Sequence, residues 1–130
     1  MSANLSQQWL DKATEDLAVA RLLLAGQYFS HVCFMSQQCI EKSLKGFLLA
    51  KANKYPRTHS LRDLLGECMT LDPAFAPFVP DCLVIDQYYI PTRYPDGIPG
   101  GLGGVSTDDV EAKESLEAAE KIHDFVTKKI

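Results

Sequence analysis

The sequence predicts an all-α protein, an up-and-down antiparallel bundle of about five helices in a single domain over residues 1–130. Apolar residues recur every three or four positions along most of the chain, which is the spacing of amphipathic helices. The segments between them are short, and short connections make neighbouring helices antiparallel. Neither a hairpin signal nor an internal repeat occurs, and this length is enough for one buried core.

The first helix is expected over residues 5–25, with Asn4 or Ser6 as its cap and Gly26 at its end. The second helix is expected over residues 30–53. The apolar stripes that predict the two helices consist of Leu10, Ala13, Leu17, Ala20 and Leu24 in the first and Cys33, Ile40, Leu44 and Phe47 in the second.

Two features inside the second helix are informative. Glu41 and Lys45 lie one turn apart with opposite charges, so we expect them to pair. Gly46 costs about 1 kcal/mol relative to alanine in a helix interior, which favours close packing against this position.

Proline divides the middle of the chain. Pro56 ends the second helical pattern, and a third helix is expected over residues 60–71, where Ser60 and Asp63 have capping-box spacing. The stretch "DPAFAPFVP" is expected to be a connector. A fourth helix is expected over residues 80–90, immediately before another proline.

The last helix is expected to start at Ser106 or Thr107 and to run almost to the end of the chain. The stretch "PDGIPGGLGG" before it holds five of the eight glycines and is expected to be a loop. Acidic residues fill the first turn and basic residues the last, as the helix dipole favours: Asp108, Asp109 and Glu111, then Lys128 and Lys129.

Composition indicates a globular protein with 46% hydrophobic residues and a net charge of −4. No apolar run approaches the roughly 18 residues of a membrane span. The N-terminus becomes polar and acidic at once and does not resemble a signal peptide, so we expect a cytoplasmic protein. The four cysteines lack C-x-x-C spacing, so we expect buried free thiols and no metal site.

Basic residues are concentrated between residues 42 and 62, where no acidic residue occurs. A basic cluster beside a helix start can bind anions. We therefore predict a nucleotide or anion site, but the lysines can equally form a solvated helix end and the histidine a hydrogen bond at the helix entry. The predicted site residues here are Lys42, Lys45, Arg57, His59 and Arg62.

The stretch "YYIPTRYPDG", residues 88–97, adds Arg93, Tyr94 and Asp96 to the predicted site. Prolines on both sides of Arg93 limit its backbone freedom, and its guanidinium can bind a phosphate or a carboxylate with two hydrogen bonds. The alternative is a structural Arg93–Asp96 clasp that closes the turn.

Known catalytic motifs are absent. The sequence contains no G-x-S-x-G, no G-x-G-x-x-G, no Walker A motif and no H-E-x-x-H. From the residues alone we predict no catalytic residue, no cofactor and no metal ligand.

Three stretches in this order, "MSQQCIEKSLKGFL", "THSLRDLL" and "YYIPTRYPD", resemble the HEPN family (higher eukaryotes and prokaryotes nucleotide-binding). The stretch "KATEDLAVARLLLAGQYFSHVCF" fits the same pattern, and the resemblance runs from about Trp9 to Phe125. It implies an up-and-down helical bundle, nucleotide binding, frequent homodimers and, for small members, a minimal nucleotidyltransferase partner. A homodimer patch is expected to include Phe34, Phe75 and Phe78.

Many HEPN proteins are ribonucleases, including toxins of toxin–antitoxin pairs, and carry an arginine followed after four to six residues by a histidine. That motif is absent here, because the spacings of this chain's arginines and histidines do not fit it. We therefore predict a non-catalytic nucleotide-binding module that partners a nucleotidyltransferase, with RNA a less favoured ligand. The alternatives are a ribonuclease toxin with a non-standard site and a purely structural dimer that holds a partner.

Overall fold

The computed structural model describes residues 2–89 and 108–130, and these ranges confirm the all-α bundle. They contain no strand, and no helix in them is long and apolar enough to cross a membrane. Two 3₁₀ helices, Pro73–Phe78 and Asp86–Tyr88, flank the fourth α-helix. The five α-helices are α1 (Ser2–Ala25), α2 (Phe29–Ala52), α3 (Leu61–Leu71), α4 (Val79–Ile85) and α5 (Asp109–Lys129).

Helix α2 is the centre of the bundle. It packs against α1, α3 and α5, and 14 of its 24 residues are buried, so it has little face left for solvent. Every other α-helix contributes side chains to the same apolar core. Most buried polar side chains on α2 therefore find partners inside the protein, and the Ser36 hydroxyl is the exception among the described residues.

The contact of α1 with α2 is close at Gly46, as predicted. A Cβ atom at this position would lie 3.0 Å from Cδ2 of Leu10. The Oγ of Ser6 donates a hydrogen bond of 2.8 Å to the Gly46 carbonyl. Because α1 begins at Ser2, Ser6 lies inside the helix, and the expectation that it caps the helix is wrong.

The "DPAFAPFVP" stretch is more ordered than the predicted connector. Most of it forms the 3₁₀ helix Pro73–Phe78, whose Phe75 is fully buried. The Phe75 ring makes edge contacts with Phe47 and Phe125, at centroid distances of 4.7 and 4.8 Å. Phe75 is therefore a core residue and cannot contribute to an exposed dimer patch.

Besides the start of α1, the end of α4 and the start of α5 differ from the predicted boundaries. Helix α4 ends at Ile85, and the 3₁₀ helix that follows it ends at Tyr88. The cap of α5 is Asp108, whose Oδ1 accepts a hydrogen bond from the Glu111 amide at 2.9 Å. Aspartate caps as well as serine or threonine do, so α5 starts at Asp109, two or three residues after the expected start at Ser106 or Thr107.

All four cysteines are free and buried, as predicted. Burial disfavours the charged thiolate and raises the pKa of Cys33 to about 11. The same cause raises the pKa of Cys39, Cys68 and Cys82 to about 12. Within residues 2–89 and 108–130, no group of three His, Cys, Asp or Glu side chains is arranged to hold a metal ion.

Candidate functional site

A buried polar stripe runs along α2. Gln37, Glu41 and Lys45 follow one another at intervals of four residues, so their side chains lie on the same side of the helix. Gln37 is 0% exposed, and Glu41 and Lys45 are each 4% exposed. The segment that links α2 to α3, residues 53–60, supplies further partners for this stripe.

Glu41 is the centre of the stripe. Its Oε2 accepts a hydrogen bond of 3.0 Å from Nζ of Lys45 and lies 3.0 Å from Nδ1 of His59. Gln37 Nε2 donates to Oε1 of Glu41 at 3.2 Å and to the His59 carbonyl at 3.3 Å. The buried carboxylate is thus hydrogen-bonded on both oxygens, and the Lys45 charge is compensated inside the protein.

His59 connects the buried stripe to the surface. Its side chain is 57% exposed, and its ring stacks on Tyr89 at 4.8 Å between centroids with planes 16° apart. A carboxylate only accepts hydrogen bonds, so Nδ1 carries the hydrogen that points to Glu41. The other ring nitrogen, Nε2, is then available for a further hydrogen bond, as acceptor when the ring is neutral and as donor when it is protonated.

Lys45 also lies close to the rings of two aromatic residues. Its Nζ lies 5.6 Å from the ring centre of Trp9 and 5.7 Å from that of Tyr55. The two ring centroids are 5.6 Å apart, with planes tilted by 43°. Beside them lies an open groove of about 700 Å³, the aromatic groove, which is lined by Leu5, Gln8, Trp9, Asp11, Lys12, Glu15 and Tyr55.

The start of α3 is occupied by a carboxylate of the protein itself. Oδ1 of Asp86 accepts from the Leu61 amide at 2.8 Å, and its Oδ2 accepts from the Arg62 amide and the Ser60 hydroxyl at 3.3 Å. Ser60 Oγ accepts from the Asp63 amide, which confirms the predicted cap. The backbone N–H groups that we expected to bind an external anion therefore bind Asp86.

The predicted site residues separate into groups. Lys42 forms a 2.7 Å ion pair with Asp16 of α1 and does not join the stripe. Lys45 and His59 meet at Glu41. Arg57 and Arg62 are exposed and flank His59 in sequence, and we call Arg57, His59 and Arg62 the His59 rim. Three predicted site residues lie outside the described residues: Arg93, Tyr94 and Asp96.

Several residues of this arrangement were not predicted. Glu41 was expected to form a helical pair with Lys45, which it does, but not to hold His59. One sequence signal was available, because Gln37, Glu41 and Lys45 repeat every four residues on a helix that is otherwise mostly apolar. The roles of Trp9 and Asp86 depend on tertiary contacts and carry no such signal.

Comparison with known proteins identifies the family. The family model for the HEPN domain matches residues 6–130. The chain belongs to the HEPN family. A relative of known structure, TT1696 from Thermus thermophilus, is 36% identical, with a TM-score of 0.86 over 96% of this chain and 98% of that one.

Two further relatives support the assignment. The structure of ST0689, an archaeal HEPN homologue, is 31% identical with a TM-score of 0.76 and covers 95% of this chain and 96% of that one. The Methanocaldococcus jannaschii protein named "Putative toxin MJ1304" is 26% identical over 133 residues, which cover 93% of this chain and 88% of that protein. The HEPN fold expected from the sequence is therefore confirmed.

Proposed function

We propose that this HEPN protein is a non-catalytic module that binds a nucleotide through the His59 rim and acts as the partner of a minimal nucleotidyltransferase. The observation that supports nucleotide binding is the fixed orientation of the His59 ring. Glu41 fixes Nδ1, Tyr89 covers one ring face, and Nε2 has no hydrogen-bond partner among residues 2–89 and 108–130. A side chain that is already ordered loses little entropy on binding.

Charge on the rim favours a phosphate ligand. Arg57 and Arg62 are exposed on either side of His59, and guanidinium groups bind phosphate oxygens with two hydrogen bonds. Among the described residues, the one carboxylate that the Arg62 guanidinium contacts is its exposed neighbour Asp63, at a long 3.8 Å, which compensates little of its charge. Lys42 and Lys45 do not add to this field, because Asp16 and Glu41 neutralise them.

Calorimetric titration with ATP tests this proposal. We expect saturable binding by the wild-type chain and a loss of affinity of at least about tenfold in Arg57→Glu, because a phosphate contact becomes a repulsion. Lys121→Glu is the matched control, since it makes the same charge reversal on an exposed position of α5 and should keep the wild-type affinity. Absence of ATP binding, or equal losses in both variants, would refute a site at the rim.

The "TRYPD" stretch is part of the same proposal. Tyr89, which stacks on His59, is the last residue described before it. If Arg93 contributes to the site, Arg93→Ala should lower ATP affinity at an unchanged melting temperature. If Arg93 forms a clasp with Asp96, the same variant should lose thermal stability and keep its affinity.

Partner binding and self-association rest on membership of the HEPN family. We propose a homodimer that binds a nucleotidyltransferase encoded beside it. Light scattering of the purified chain should give about twice the mass of 14.4 kDa, and a particle of 14.4 kDa would contradict the dimer. Size-exclusion chromatography of the chain mixed with that nucleotidyltransferase tests the complex, and separate elution would contradict it.

A second candidate function is a ribonuclease toxin with a non-standard site. The observation that favours it is the Glu41–His59 pair, because a buried carboxylate on Nδ1 is the arrangement that orients a histidine general base. A relative carries the name "Putative toxin MJ1304". RNA cleavage by the wild-type chain that is lost in His59→Ala would favour this candidate over the non-catalytic module.

A further inference from the structure

The segment between α2 and α3 connects the His59 rim to the aromatic groove. Along this segment Tyr55, Arg57 and His59 are exposed, whereas the residues that alternate with them are partly buried. One short stretch of chain thus presents an aromatic ring, a guanidinium and an imidazole to solvent. These are the groups that bind nucleotides, since bases stack on aromatic rings and phosphates pair with arginine.

The buried stripe holds the two ends of this surface close together. The same Oε2 atom of Glu41 lies 3.0 Å from His59 Nδ1 and 3.0 Å from Lys45 Nζ. Lys45 Nζ lies in turn 5.7 Å from the Tyr55 ring centre. These three contacts limit the distance between the His59 and Tyr55 rings. One extended nucleoside phosphate can reach from one ring to the other.

We propose that the aromatic groove is the base subsite of this nucleotide site, so that the ligand is a free nucleoside phosphate whose base lies against Trp9 and Tyr55 and whose phosphates lie at the His59 rim. This inference rests on the proposed function and adds the class and orientation of the ligand. The volume of about 700 Å³ is within the range of small-molecule sites, roughly 300–1,000 Å³.

Charge in the groove sets the orientation of the ligand. Two carboxylates, Asp11 and Glu15, and one cation, Lys12, line the groove, so its lining is net acidic and disfavours a phosphate. The carboxylate oxygens can accept hydrogen bonds from the amino groups of a base. The arginines that attract phosphate lie at the rim. Asp11 already accepts a hydrogen bond of 2.9 Å from Gln7, and Glu15 lies 3.8 Å from Lys12, but each carboxylate keeps a second oxygen that the polar edge of a base can reach.

The buried Lys45 positions the aromatic walls. Lys45 is 4% exposed and lies close to both ring centres, so it supports Trp9 and Tyr55 from the protein interior. Its charge is compensated by the hydrogen bond to Glu41. The Tyr55 side remains open, because that residue is 46% exposed. The two rings are therefore held in place before a ligand arrives, and Tyr55 offers exposed aromatic surface to it.

The only tryptophan of the sequence provides a direct test, since Trp9 is the single source of indole fluorescence. We expect saturable quenching of this fluorescence by ATP, with the dissociation constant that calorimetry gives. Inorganic tripolyphosphate should bind the rim and leave the fluorescence unchanged. Tyr55→Ala should lower ATP affinity about tenfold, the loss expected for one stacking contact, and leave tripolyphosphate affinity unchanged.

Control variants separate this inference from the proposed function. Tyr55→Phe keeps the ring and should keep ATP affinity, and Tyr28→Ala removes another exposed tyrosine and should have no effect. ATP binding with unchanged Trp9 fluorescence and unchanged affinity in Tyr55→Ala would overturn the base subsite alone. Failure of the wild-type chain to bind ATP would overturn the proposed function as well. Quenching by a single-stranded RNA but not by ATP would overturn the assignment to a free nucleotide.

Discussion

Nδ1 of His59, on the surface, lies 3.0 Å from Oε2 of Glu41, which is almost completely buried. The same oxygen accepts a hydrogen bond from Lys45, so one carboxylate compensates a buried cation and orients an exposed imidazole. The stability of the α2 core and the geometry of the proposed site thus depend on the same side chain.

Removal of Glu41 should be strongly destabilising. Glu41→Ala leaves the Lys45 ammonium buried without its partner, and breaking a buried pair in this way costs about 3–5 kcal/mol. Urea unfolding measures the loss. Glu117→Ala breaks the exposed Lys121–Glu117 pair and should cost no more than about 0.5 kcal/mol. A double replacement, Glu41→Leu with Lys45→Met, should be more stable than Glu41→Ala, and similar losses in the two would contradict a buried ion pair.

Two glycines should respond in opposite directions to alanine. At Gly46 a Cβ atom would meet Leu10 side-chain atoms at 3.0 and 3.1 Å, so overpacking of about 1–3 kcal/mol should exceed the gain in helix propensity. At Gly66 nothing lies within 4 Å, and alanine should stabilise α3 by up to about 1 kcal/mol. Thermal unfolding of the two variants compares them, and a more stable Gly46→Ala would disprove the close α1–α2 contact.

Tyr88 ties the end of the α4 region to α5. Its buried hydroxyl donates to Oε2 of Glu111 at 2.7 Å, and burial raises the pKa of the phenol, so the hydroxyl stays protonated. Tyr88→Phe removes this charge-assisted bond and should lower the free energy of unfolding by about 1–2 kcal/mol. Tyr28→Phe, at an exposed position, should change nothing measurable. Equal stabilities of Tyr88→Phe and the wild type would show that the bond contributes nothing.

Stability should fall as the solution becomes alkaline. Burial raises the pKa of Cys33 to about 11 and that of Cys39 to about 12 from an ordinary value of 9.0. The thiols of the unfolded chain lose their protons at the ordinary pKa of 9.0, before those of the folded chain. Above pH 9.0 the unfolded chain therefore binds fewer protons than the folded chain, and the free energy of unfolding decreases as the pH rises. This contribution is present below pH 9.0 and is progressively lost between pH 9.0 and the folded pKa values.

A urea series across this pH range measures the effect. Replacing Cys39 by alanine should reduce the slope of stability against pH, because one shifted thiol is removed. A thiol reagent added to the wild-type chain tests the cause, since the buried thiols should react only on unfolding. A thiol that reacts rapidly in the folded protein would contradict its burial.

Much of the fold was predictable because it depends on local spacing. The stripes beginning at Leu10 and Cys33 predict α1 and α2, and Ser60 with Asp63 predicts the start of α3 to the residue. Phe75 was misjudged because prolines around it favour a loop, whereas contacts with Phe47 and Phe125 stabilise a 3₁₀ helix there. That packing energy comes from residues far away in the chain.

The candidate site was less predictable for the same reason. The basic residues around His59 predict that it belongs to an anion site, but its environment is set by Glu41 and Tyr89, 18 and 30 positions away. Asp86 accepts hydrogen bonds from the first N–H groups of α3, where the local sequence predicts that an external anion binds. The distribution of charge along the sequence thus predicts the region of the candidate site. The partner of each charged side chain can be identified only from the tertiary structure.

The location of bound ATP tests the central claim most directly. We would follow the backbone amide signals of the isotopically labelled chain by NMR while ATP is added. A nucleotide at the His59 rim predicts saturable shifts concentrated in residues 55–62 and small shifts in the middle of α5. The Arg57→Glu chain should require much more ATP for the same shifts. Absence of saturable shifts, or shifts concentrated in α5 with residues 55–62 unaffected, would contradict nucleotide binding at this site.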